Sequence, residues 1–419
     1  MRKKTKDIID KLVRVVKWFY PGVGIKRWAF LSLVGLFLII LGSSHSLNNL
    51  RNISFFDWFF LLSGLVLLIV GIWQVFCLLV ETLFPRRPRS ELADVLYHRH
   101  VLSKGPRIVV IGGGSGQSVL LQGLKEYTSN ITAIVTVADS GGSSGRLRNT
   151  FDILPPGDIR NCLVALADAE SLVRKLFQYR FAKDIPELGG HSFGNLFLTA
   201  LTQVTGDFER AIKSASEVLA IRGRVLPSTF EKICLVAEYE DGSRISGEAD
   251  IPNAGKKIKR VFLDPEKPVA CEEAVEAIRE AQIVFLGPGS LYTSIIPNLL
   301  VPGISRALKE TSAPKIYVCN VMTQKGETDG YSVYDHIKAI LEHAGQGTLS
   351  FCVVNSTTIP QDALDKYAEE GAKQVFWGDL REIEHLGVKV ILGNVVDISG
   401  VIRHNPHKIY NLVREFIQD

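Results

Sequence analysis

Two glycine-rich segments, each with serine and charged residues beside it, carry the clearest chemistry in the sequence. The first, GGGSG, occupies residues 112–116, directly after an apolar run and before a helical pattern. Glycine has no Cβ, so its backbone can approach a phosphate closely, and the free N–H groups at a helix amino end favour an anion. The segment predicts an anion site formed by Gly113, Gly114, Ser115 and Gly116.

Neither common phosphate-binding pattern fits this segment. A Walker A loop requires Gly-Lys-Ser/Thr, which does not follow Gly116. The dinucleotide pattern G-x-G-x-x-G fails because Gln117 stands at the position of its third glycine. The sequence therefore predicts an anion without specifying which one.

The second segment begins with an acid. Asp139 lies 25 residues after Gly114, where dinucleotide-binding folds place the carboxylate that contacts a ribose. A glycine–serine loop follows at 141–145, and guanidinium groups after it suit bidentate phosphate contacts. The alternative is a flexible surface loop. The ligand contacts expected from this segment are Asp139, Gly141, Gly142, Ser143 and Arg146.

A third polar segment precedes the helical pattern CLVALADA and contains Gly157, Asp158 and Asn161. Asp158 suits two roles, either capping that helix or holding a divalent cation together with Asp139. Asp139 and Asp158 are therefore the candidate catalytic residues and the candidate Mg²⁺ ligands. Gly157 and Asn161 are expected to contact the ligand.

The segment Gly190–Gly194 matches the G-x-S-x-G pattern of serine hydrolases, with Asp397 and His404 following in hydrolase order. That pattern requires a strand immediately before the serine, and the preceding FAKDIPELGG does not have a strand pattern. We therefore expect His191 and Asn195 to face a polar ligand instead.

Two later polar segments complete the candidate set. A turn at 287–290 follows the apolar run IVFL and precedes a helical pattern, and Asn320 ends the next apolar run. The ligand contacts expected here are Gly287, Pro288, Gly289, Ser290 and Asn320.

Short apolar, β-branched runs precede most of these segments and must position them. They occupy residues 107–111, 131–137, 283–286, 316–319, 351–354 and 388–392. Helical patterns separate many of them, as at 118–126 and 272–281. This alternation predicts an α/β fold with a Rossmann-like, doubly wound, mainly parallel sheet, in which ligands bind beyond the carboxyl ends of the strands. Residues 225–265 interrupt it as a β-hairpin insertion around the turn Asp241-Gly242.

The first hundred residues differ from the rest. Residues 28–44 and 58–80 are uncharged, mostly apolar runs long enough to cross a bilayer, so 28–84 is predicted to be a transmembrane helical hairpin. Residues 1–27 are basic and predict an amphipathic interfacial segment on anionic lipid, and 85–104 predict a basic linker to the domain at 105–419. Basic residues precede the first run and follow the second, while the loop between the runs has Arg51 alone. By the positive-inside rule, this predicts that both termini lie in the cytoplasm.

Composition excludes several classes of protein. Hydrophobic residues make up 46% of the 419, which excludes low-complexity disorder, and the six cysteines form no CxxC pair. The net charge of +4 is unevenly divided, since residues 1–104 carry +9 and the remainder carries −5. A nucleic-acid-binding domain shows the opposite distribution, so no nucleic-acid partner is expected.

Taken together, the loops resemble the gluconeogenesis factor family, the YvcK-type branch of the CofD-like superfamily. The matching segments lie in the family's order between Arg107 and Pro406: VVIGGGSG, TVADSGGSSGRLR, LPPGDIRNCLVALA, GHSFGNLFLTAL, VLPSTFE, GPGSLYTSIIPNLLVPGI, NVMTQKGETDGYSVYDH and RHNP. The transmembrane hairpin resembles that of the membrane-anchored variants. One departure is Asp139-Ser140, where the family usually has Asp-Asp, and it weakens a two-acid metal site.

The resemblance implies a CofD-like fold and a nucleotide ligand. Transferase relatives move a phospholactyl group from a guanosine diphosphate donor onto a deazaflavin with a divalent metal. The YvcK branch is associated with UDP-sugar binding and with regulation of carbon metabolism, cell-wall synthesis and cell shape.

We therefore expect a UDP-sugar-binding regulatory protein of the bacterial inner membrane, with a 2-phospho-L-lactate-transferase-like enzyme as the alternative. Mg²⁺ is an expected further ligand. The expected partners are a nucleotide or nucleotide sugar, anionic membrane lipids, cell-envelope regulatory proteins and a second copy of the chain in a homo-oligomer.

Overall fold

The computed structural model describes residues 25–48, 55–83, 101–169, 171–369, 371–398 and 402–418. The chain divides into two compact units, Met1–His98 and Arg99–Asp419. The interfacial segment expected at 1–27 and the linker expected at 85–104 lie almost wholly outside the described residues, so both remain predictions.

The first unit contains two long apolar helices, α1 (Ile25–Asn48) and α2 (Phe55–Leu83), which pack against each other. Glycine makes this approach close. A Cβ on Gly35 would lie 2.6 Å from the backbone nitrogen of Leu68, and one on Gly64 would lie 2.7 Å from the carbonyl oxygen of Gly35. Small residues at such contacts are typical of helix pairs in membranes. Both helices are long and apolar enough to cross a bilayer.

The second unit alternates strands with helices. Its strands are β1 (Ile108–Gly112), β2 (Ile131–Val135), β3 (Arg224–Pro227), β4 (Cys234–Tyr239), β5 (Arg244–Ser246), β6 (Ile258–Asp264), β7 (Ile283–Leu286), β8 (Lys315–Val318), β9 (Phe351–Asn355), β10 (Lys389–Gly393), β11 (Val396–Asp397) and β12 (Arg403–His404).

Its helices begin directly after many of these strands. They are α3 (Gly114–Leu124), α4 (Gly142–Phe151), α5 (Gly157–Leu166), α6 (Ser171–Gln178), α7 (Phe193–Thr205), α8 (Phe208–Leu219), α9 (Glu272–Glu280), α10 (Ile296–Leu299), α11 (Pro302–Glu310), α12 (Val333–Ala344), α13 (Gln361–Glu369), α14 (Leu380–His385) and α15 (Pro406–Gln418). A single π-helical turn, Leu291–Ile295, precedes α10.

Seven strands form one parallel sheet in the order β10-β9-β8-β7-β1-β2-β3. Every residue of β1, β2 and β7 is buried, because helices flank a parallel sheet on both faces. The predicted Rossmann-like, doubly wound sheet is confirmed, and all six apolar runs named above are strands of it.

The seventh strand, β3, differs from its prediction. The sequence predicts that the β-rich insertion begins at residue 225, but residues 224–227 pair in parallel with β2 at the edge of the main sheet. The preceding Gly223 has a φ of +91° and packs directly on the carbonyl oxygen of Ile131, so that only glycine fits there. A four-residue strand ending in Pro227 has too little apolar pattern to be recognised from sequence.

The insertion itself is a separate antiparallel sheet with the order β5-β4-β6. Its second strand is shorter than the pattern RISGEADI predicts, because Gly247 adopts a φ of +106° immediately after Ser246. The buried carboxylate of Glu238 on β4 accepts hydrogen bonds from Arg260, Lys259 and Arg244, which lower its pKa to about 2. These bonds tie the three strands of the insertion together.

Candidate functional site

The direction of strand order reverses between β1 and β7. The chain builds the sheet from β1 towards β3 on one side and from β7 towards β10 on the other. A crevice forms at the carboxyl ends of the strands on either side of such a reversal, and ligands of open α/β sheets bind there. The glycine loop (residues 112–116, after β1) and the proline loop (residues 287–290, after β7) both lie at this point.

The two loops contact each other through their backbones. A Cβ on Gly116 would clash with the carbonyl oxygen of Pro288, and one on Gly113 would lie 2.7 Å from Oδ2 of Asp158. Gly114 is different, since its φ is +67° and the nearest atom to a Cβ there is 3.8 Å away. Neighbouring protein atoms therefore leave no room for a side chain at Gly113 or Gly116, whereas the space beside Gly114 is open.

Buried amide side chains hold the glycine loop in place. The Nε2 of Gln117 donates to the carbonyl oxygens of Val110 and Ile134, both at 2.9 Å, and so joins α3 to β1 and β2. The Nδ2 of Asn298 donates to the carbonyl oxygen of Gly112 at 2.9 Å. Gln117, which breaks the dinucleotide pattern, thus has a structural role of its own.

The proline loop is held by side chains from the segment that follows the neighbouring strand β8. The Nδ2 of Asn320 donates to the carbonyl oxygen of Gly289 at 2.9 Å, and the Nε2 of Gln324 donates to Oγ of Ser290 at 2.8 Å. The carboxylate of Glu327 accepts from the Thr293 hydroxyl and the Tyr292 N–H at the start of the following helical turn. Burial raises the pKa of Glu327 to about 7.

A cavity of about 640 Å³, called here the main cavity, opens between these loops. Ten residues expected from the sequence to form the site line it: Gly113, Gly114, Ser115, Gly116, Asp139, Asp158, Pro288, Gly289, Ser290 and Asn320. Ten further lining residues were not among the expected ligand contacts: Val119, Glu248, Ser294, Val321, Met322, Gln324, Tyr367, Ile402, Arg403 and His404.

Three carboxyl groups crowd one side of the main cavity. Burial and the charge of nearby Asp139 raise the pKa of Asp158 to about 6, although the Gly114 N–H and Arg160 oppose the shift. Burial, with the charges of Asp139 and Asp158, raises the pKa of Glu248 to about 8. Glu248 is therefore largely protonated at neutral pH and shares a hydrogen bond with Asp139.

Glu248 reaches this position from the β-rich insertion. The Oγ of Ser140 accepts a hydrogen bond from the Ala249 N–H at 3.2 Å, next to Glu248 in the chain. Ser140 stands where the family usually has the second aspartate of an Asp-Asp pair. The insertion therefore brings the carboxyl group of Glu248 close to the position of that missing aspartate. No local sequence signal marks Glu248, because it lies on neither a strand-end loop nor a helix start of the main sheet.

The positive charge at the main cavity comes from a segment near the C-terminus. Arg403 is the one lysine or arginine side chain among the described residues that line the main cavity. The Nε2 of His404 contacts the carbonyl oxygen of Cys319 at 3.0 Å, and burial lowers the pKa of His404 to about 4, which leaves it neutral. The hydroxyl of Tyr367 accepts from the Ile402 N–H at 3.1 Å and so fixes the backbone beside Arg403.

Part of the expected site lies elsewhere, in a buried polar network. The Oγ of Ser143 contacts Nδ1 of His191 at 2.9 Å and accepts from Nδ2 of Asn195 at 3.1 Å. Burial lowers the pKa of His191, and the charges of Arg146 and Arg180 lower it further. None of these side chains lines the main cavity.

The remaining expected residues have local roles. Gly141 donates its N–H to Oδ1 of Asp139 at 2.8 Å, and a Cβ on Gly157 would lie 3.0 Å from Oδ2 of the same carboxylate. Arg146 donates to the carbonyl oxygen of Gly189, and Oδ1 of Asn161 accepts from Arg160. Gly142 and Gly287 have positive φ values and do not line the main cavity.

Ser192, the serine of the G-x-S-x-G pattern, is not arranged as a nucleophile. Its buried Oγ caps α7 by accepting from the Asn195 N–H and also accepts from the Arg160 guanidinium. His404 is bonded to the carbonyl of Cys319 instead of to this serine. The pattern marks a helix start.

The second unit matches the family model described as 2-phospho-L-lactate transferase CofD over residues 108–396. The chain belongs to the CofD family. Within that family it is 50% identical over 319 residues to a protein of Bacillus subtilis named gluconeogenesis factor, covering 76% of this chain and 100% of that one. The predicted membership of the gluconeogenesis factor group is confirmed.

Two other comparisons bear on the extent of this CofD-family chain. A relative from Nostoc sp. is 48% identical over 415 residues, which covers 94% of this chain and 90% of the relative. A crystal structure of a UPF0052 family member from Bacillus halodurans is 50% identical, has a TM-score of 0.71, and covers 74% of this chain and 99% of that one. The family thus includes both a form as long as this chain and a shorter form.

The raised carboxyl pKa values predict a pH-dependent stability. Glu248 and Asp158 bind protons more tightly in the folded protein than at their ordinary pKa values of 4.5 and 3.8. The unfolded chain therefore holds fewer protons over this range, and the free energy of unfolding falls as pH rises from about 4.5 to about 8. The variant Glu248→Gln should lose less stability over that range, as measured by thermal unfolding at several pH values.

Asp158 and Glu327 remain in this variant, so the pH dependence should be reduced and not abolished. The matched control is Glu276→Gln, an exposed position on α9, which should retain the full dependence. Identical pH profiles for Glu248→Gln and the unaltered protein would show that Glu248 does not titrate in this way.

Proposed function

We propose that the main cavity binds a nucleotide diphosphate sugar of the UDP-sugar type and that the chain is a regulatory protein that responds to it. The observation that carries this proposal is the convergence of three groups on one cavity: the glycine loop at the start of α3, the Arg403 guanidinium and the Tyr367 ring. Its volume of about 640 Å³ lies within the range typical of small-molecule sites.

The diphosphate is assigned to the glycine loop and Arg403. The N-cap residue of α3 makes no side-chain cap hydrogen bond, the helix dipole at this end favours an anion, and the open side of Gly114 allows close approach. Arg403 supplies the cation, and a guanidinium suits bidentate contact with phosphate oxygens. The Tyr367 ring provides an aromatic surface for the base.

Arg403→Gln should weaken binding of UDP-glucose or UDP-N-acetylglucosamine by at least about tenfold, or about 1.4 kcal/mol, because it removes the cation that faces the diphosphate. Tyr367→Phe keeps the ring and should bind more tightly than Tyr367→Ala, which removes it. Isothermal titration of the full chain in detergent measures each affinity, with GDP and NAD as competing nucleotides.

The matched control for charge is Arg306→Gln, an exposed position on α11 that does not line the main cavity. It should bind as the unaltered protein does. Equal affinity of Arg403→Gln and Arg306→Gln would place the diphosphate away from Arg403, and a total absence of nucleotide binding would overturn the proposal.

We propose that Mg²⁺ binds in the same cavity. A diphosphate beside Asp139, Asp158 and Glu248 is repelled unless the carboxyl groups bind protons or a cation neutralises them. Among the described residues no three His, Cys, Asp or Glu side chains form a ready metal site. Mg²⁺, however, usually binds one or two carboxylates together with phosphate oxygens. Asp139 and Asp158 would hold it, and its charge would screen the diphosphate.

Mg²⁺ should therefore strengthen UDP-sugar binding, and chelation by EDTA should reverse the gain. Asp158→Asn keeps the side-chain shape but removes the charge, so it should bind the nucleotide sugar almost independently of Mg²⁺. The measurement is affinity with and without Mg²⁺ at about pH 8, where Asp158 is ionised. An equal Mg²⁺ effect in Asp158→Asn and the unaltered protein would contradict this assignment.

The second candidate is a transferase that moves a phosphoryl-linked group from a nucleotide diphosphate donor. It is favoured by the Asp139–Asp158 pair at the cavity wall and by the family model that the chain matches. It predicts Mg²⁺-dependent consumption of the donor in the presence of an acceptor, lost in Asp158→Ala. Binding without consumption across a panel of donors and acceptors favours the regulatory protein.

The regulatory role is proposed from the relatives, several of which are named gluconeogenesis factor. We propose that nucleotide-sugar occupancy of this chain regulates carbon metabolism, and through the supply of activated sugars also cell-wall synthesis and cell shape. Cell-envelope regulatory proteins and a second copy of the chain are the partners proposed to read that occupancy.

We further propose that α1 and α2 anchor the chain in the bacterial inner membrane with both termini in the cytoplasm. Large apolar side chains on both helices are exposed, among them Phe30, Leu33, Phe59, Leu62 and Trp73. Exposed apolar faces are typical of surfaces that contact a membrane or another protein, and the length of both helices favours the membrane. Basic residues flank the hairpin on both sides, whereas Arg51 is the one basic residue between the spans.

The full chain should sediment with bacterial membranes, resist extraction by high salt, and be released by detergent. A chain lacking residues 1–98, which form the first compact unit, should remain in the supernatant. Release of the full chain by salt alone would indicate peripheral attachment and contradict the two-pass anchor.

A further inference from the structure

A second groove lies beside the main cavity, between three helices of the second unit. This helical groove has a volume of about 360 Å³ and is lined by one face each of α3, α5 and α6. The lining positions on α6 are Ser171, Arg174, Lys175 and Gln178, spaced as one helical face requires. The groove has no part in the function proposed above.

The charged side chains that line the helical groove in the described part of the chain are both basic. Arg174 and Lys175 line it, and no aspartate or glutamate does so among the described residues. Neither cation forms a hydrogen bond or an ion pair with a described residue, and the Nε of Arg174 is buried without a partner. The domain as a whole is acidic, with a net charge of −5 over residues 105–419, so this positive wall is local.

The surroundings add to that positive potential. The ammonium of Lys125, at the end of α3, donates to the carbonyl oxygen of Ala167 at 2.8 Å. Burial lowers the pKa of Lys125 most, Asp168 raises it, and the nearby charges of Arg174 and Arg222 lower it. Arg222 is paired with Asp168, whereas no described residue forms an ion pair with Arg174. An anion placed beside Arg174 would relieve this repulsion.

The polar lining suits a small, hydroxylated ligand. Ser115, Gln122, Asn161 and Gln178 contribute hydroxyl and amide groups to the same wall as the two cations. Two cations match the charge of one phosphate, and the acidic domain repels a longer polyanion such as a nucleic acid. Ser115 and Val119 line both the helical groove and the main cavity, so the groove adjoins the nucleotide site without coinciding with it.

We propose that the helical groove binds a second small anionic ligand, a phosphate ester or a carboxylate of sugar size, through Arg174 and Lys175. Arg174 would contact the anion with its guanidinium fork, and Lys175 would contribute a second charge. The proposal does not depend on which nucleotide the main cavity binds. The domain would then bind two ligands, one in the main cavity and one in the helical groove.

The test titrates the full chain in detergent with four probes: inorganic phosphate, glucose 6-phosphate, gluconate and glucose. Saturable binding of glucose 6-phosphate or phosphate is expected if the anion is a phosphate, and of gluconate if it is a carboxylate, with glucose as the neutral comparison. The double variant Arg174→Gln/Lys175→Gln should have an affinity for the bound probe that is lower by at least about tenfold. Arg174→Lys keeps the charge but not the guanidinium fork, so its probe affinity should lie between those of the unaltered protein and the double variant.

Two control variants locate the site. Lys267→Gln changes an exposed lysine outside both cavities and should leave probe affinity unchanged, whereas Arg403→Gln reports any probe that binds in the main cavity instead. Lys175 is exposed and Arg174 half-exposed, and equal thermal unfolding midpoints would confirm that the double variant folds. Loss of probe binding in Arg403→Gln with full binding in the double variant would overturn the proposal, as would the absence of saturation by every anionic probe at about 10 mM.

Discussion

The backbone of Gly116 lies against the carbonyl of Pro288, and the rest of the site depends on that contact. It joins the loop after β1 to the loop after β7 at the point where the strand order reverses, and any side chain at 116 would separate them. The amides of Gln117, Asn298 and Asn320 hold the two loops from behind. The open face of Gly114 is what this arrangement leaves for a ligand.

Electrostatics gives the site its second constraint. Asp139, Asp158 and Glu248 share one side of a cavity to which, among the described residues, Arg403 alone contributes a basic side chain. Such crowding is costly when all three are ionised, and it is relieved by protons or by a cation. An anionic nucleotide and Mg²⁺ would therefore bind more favourably together than either alone. If the proposed ligands bind, the same carboxyl groups would link the response to nucleotide, metal and pH.

The sequence predicts the fold well because buried parallel strands leave a strong pattern. Runs such as RIVVI and IVFL are apolar throughout, and the rule that ligands bind at strand ends then identifies the glycine and proline loops. What it misses depends on tertiary placement. The insertion carries Glu248 to the cavity, and α13 carries Tyr367 there, from segments without strand-end signals. Ser143, His191 and Asn195 have polar types that suit a ligand, but they pair with one another.

The most direct test is an experimental structure of the full chain with UDP-glucose and Mg²⁺. We expect the diphosphate between the amino end of α3 and the Arg403 guanidinium, with the metal on Asp139 and Asp158 and the uracil against Tyr367. A nucleotide bound outside the crevice between β1 and β7, or a crevice that stays empty at saturating ligand, would contradict it.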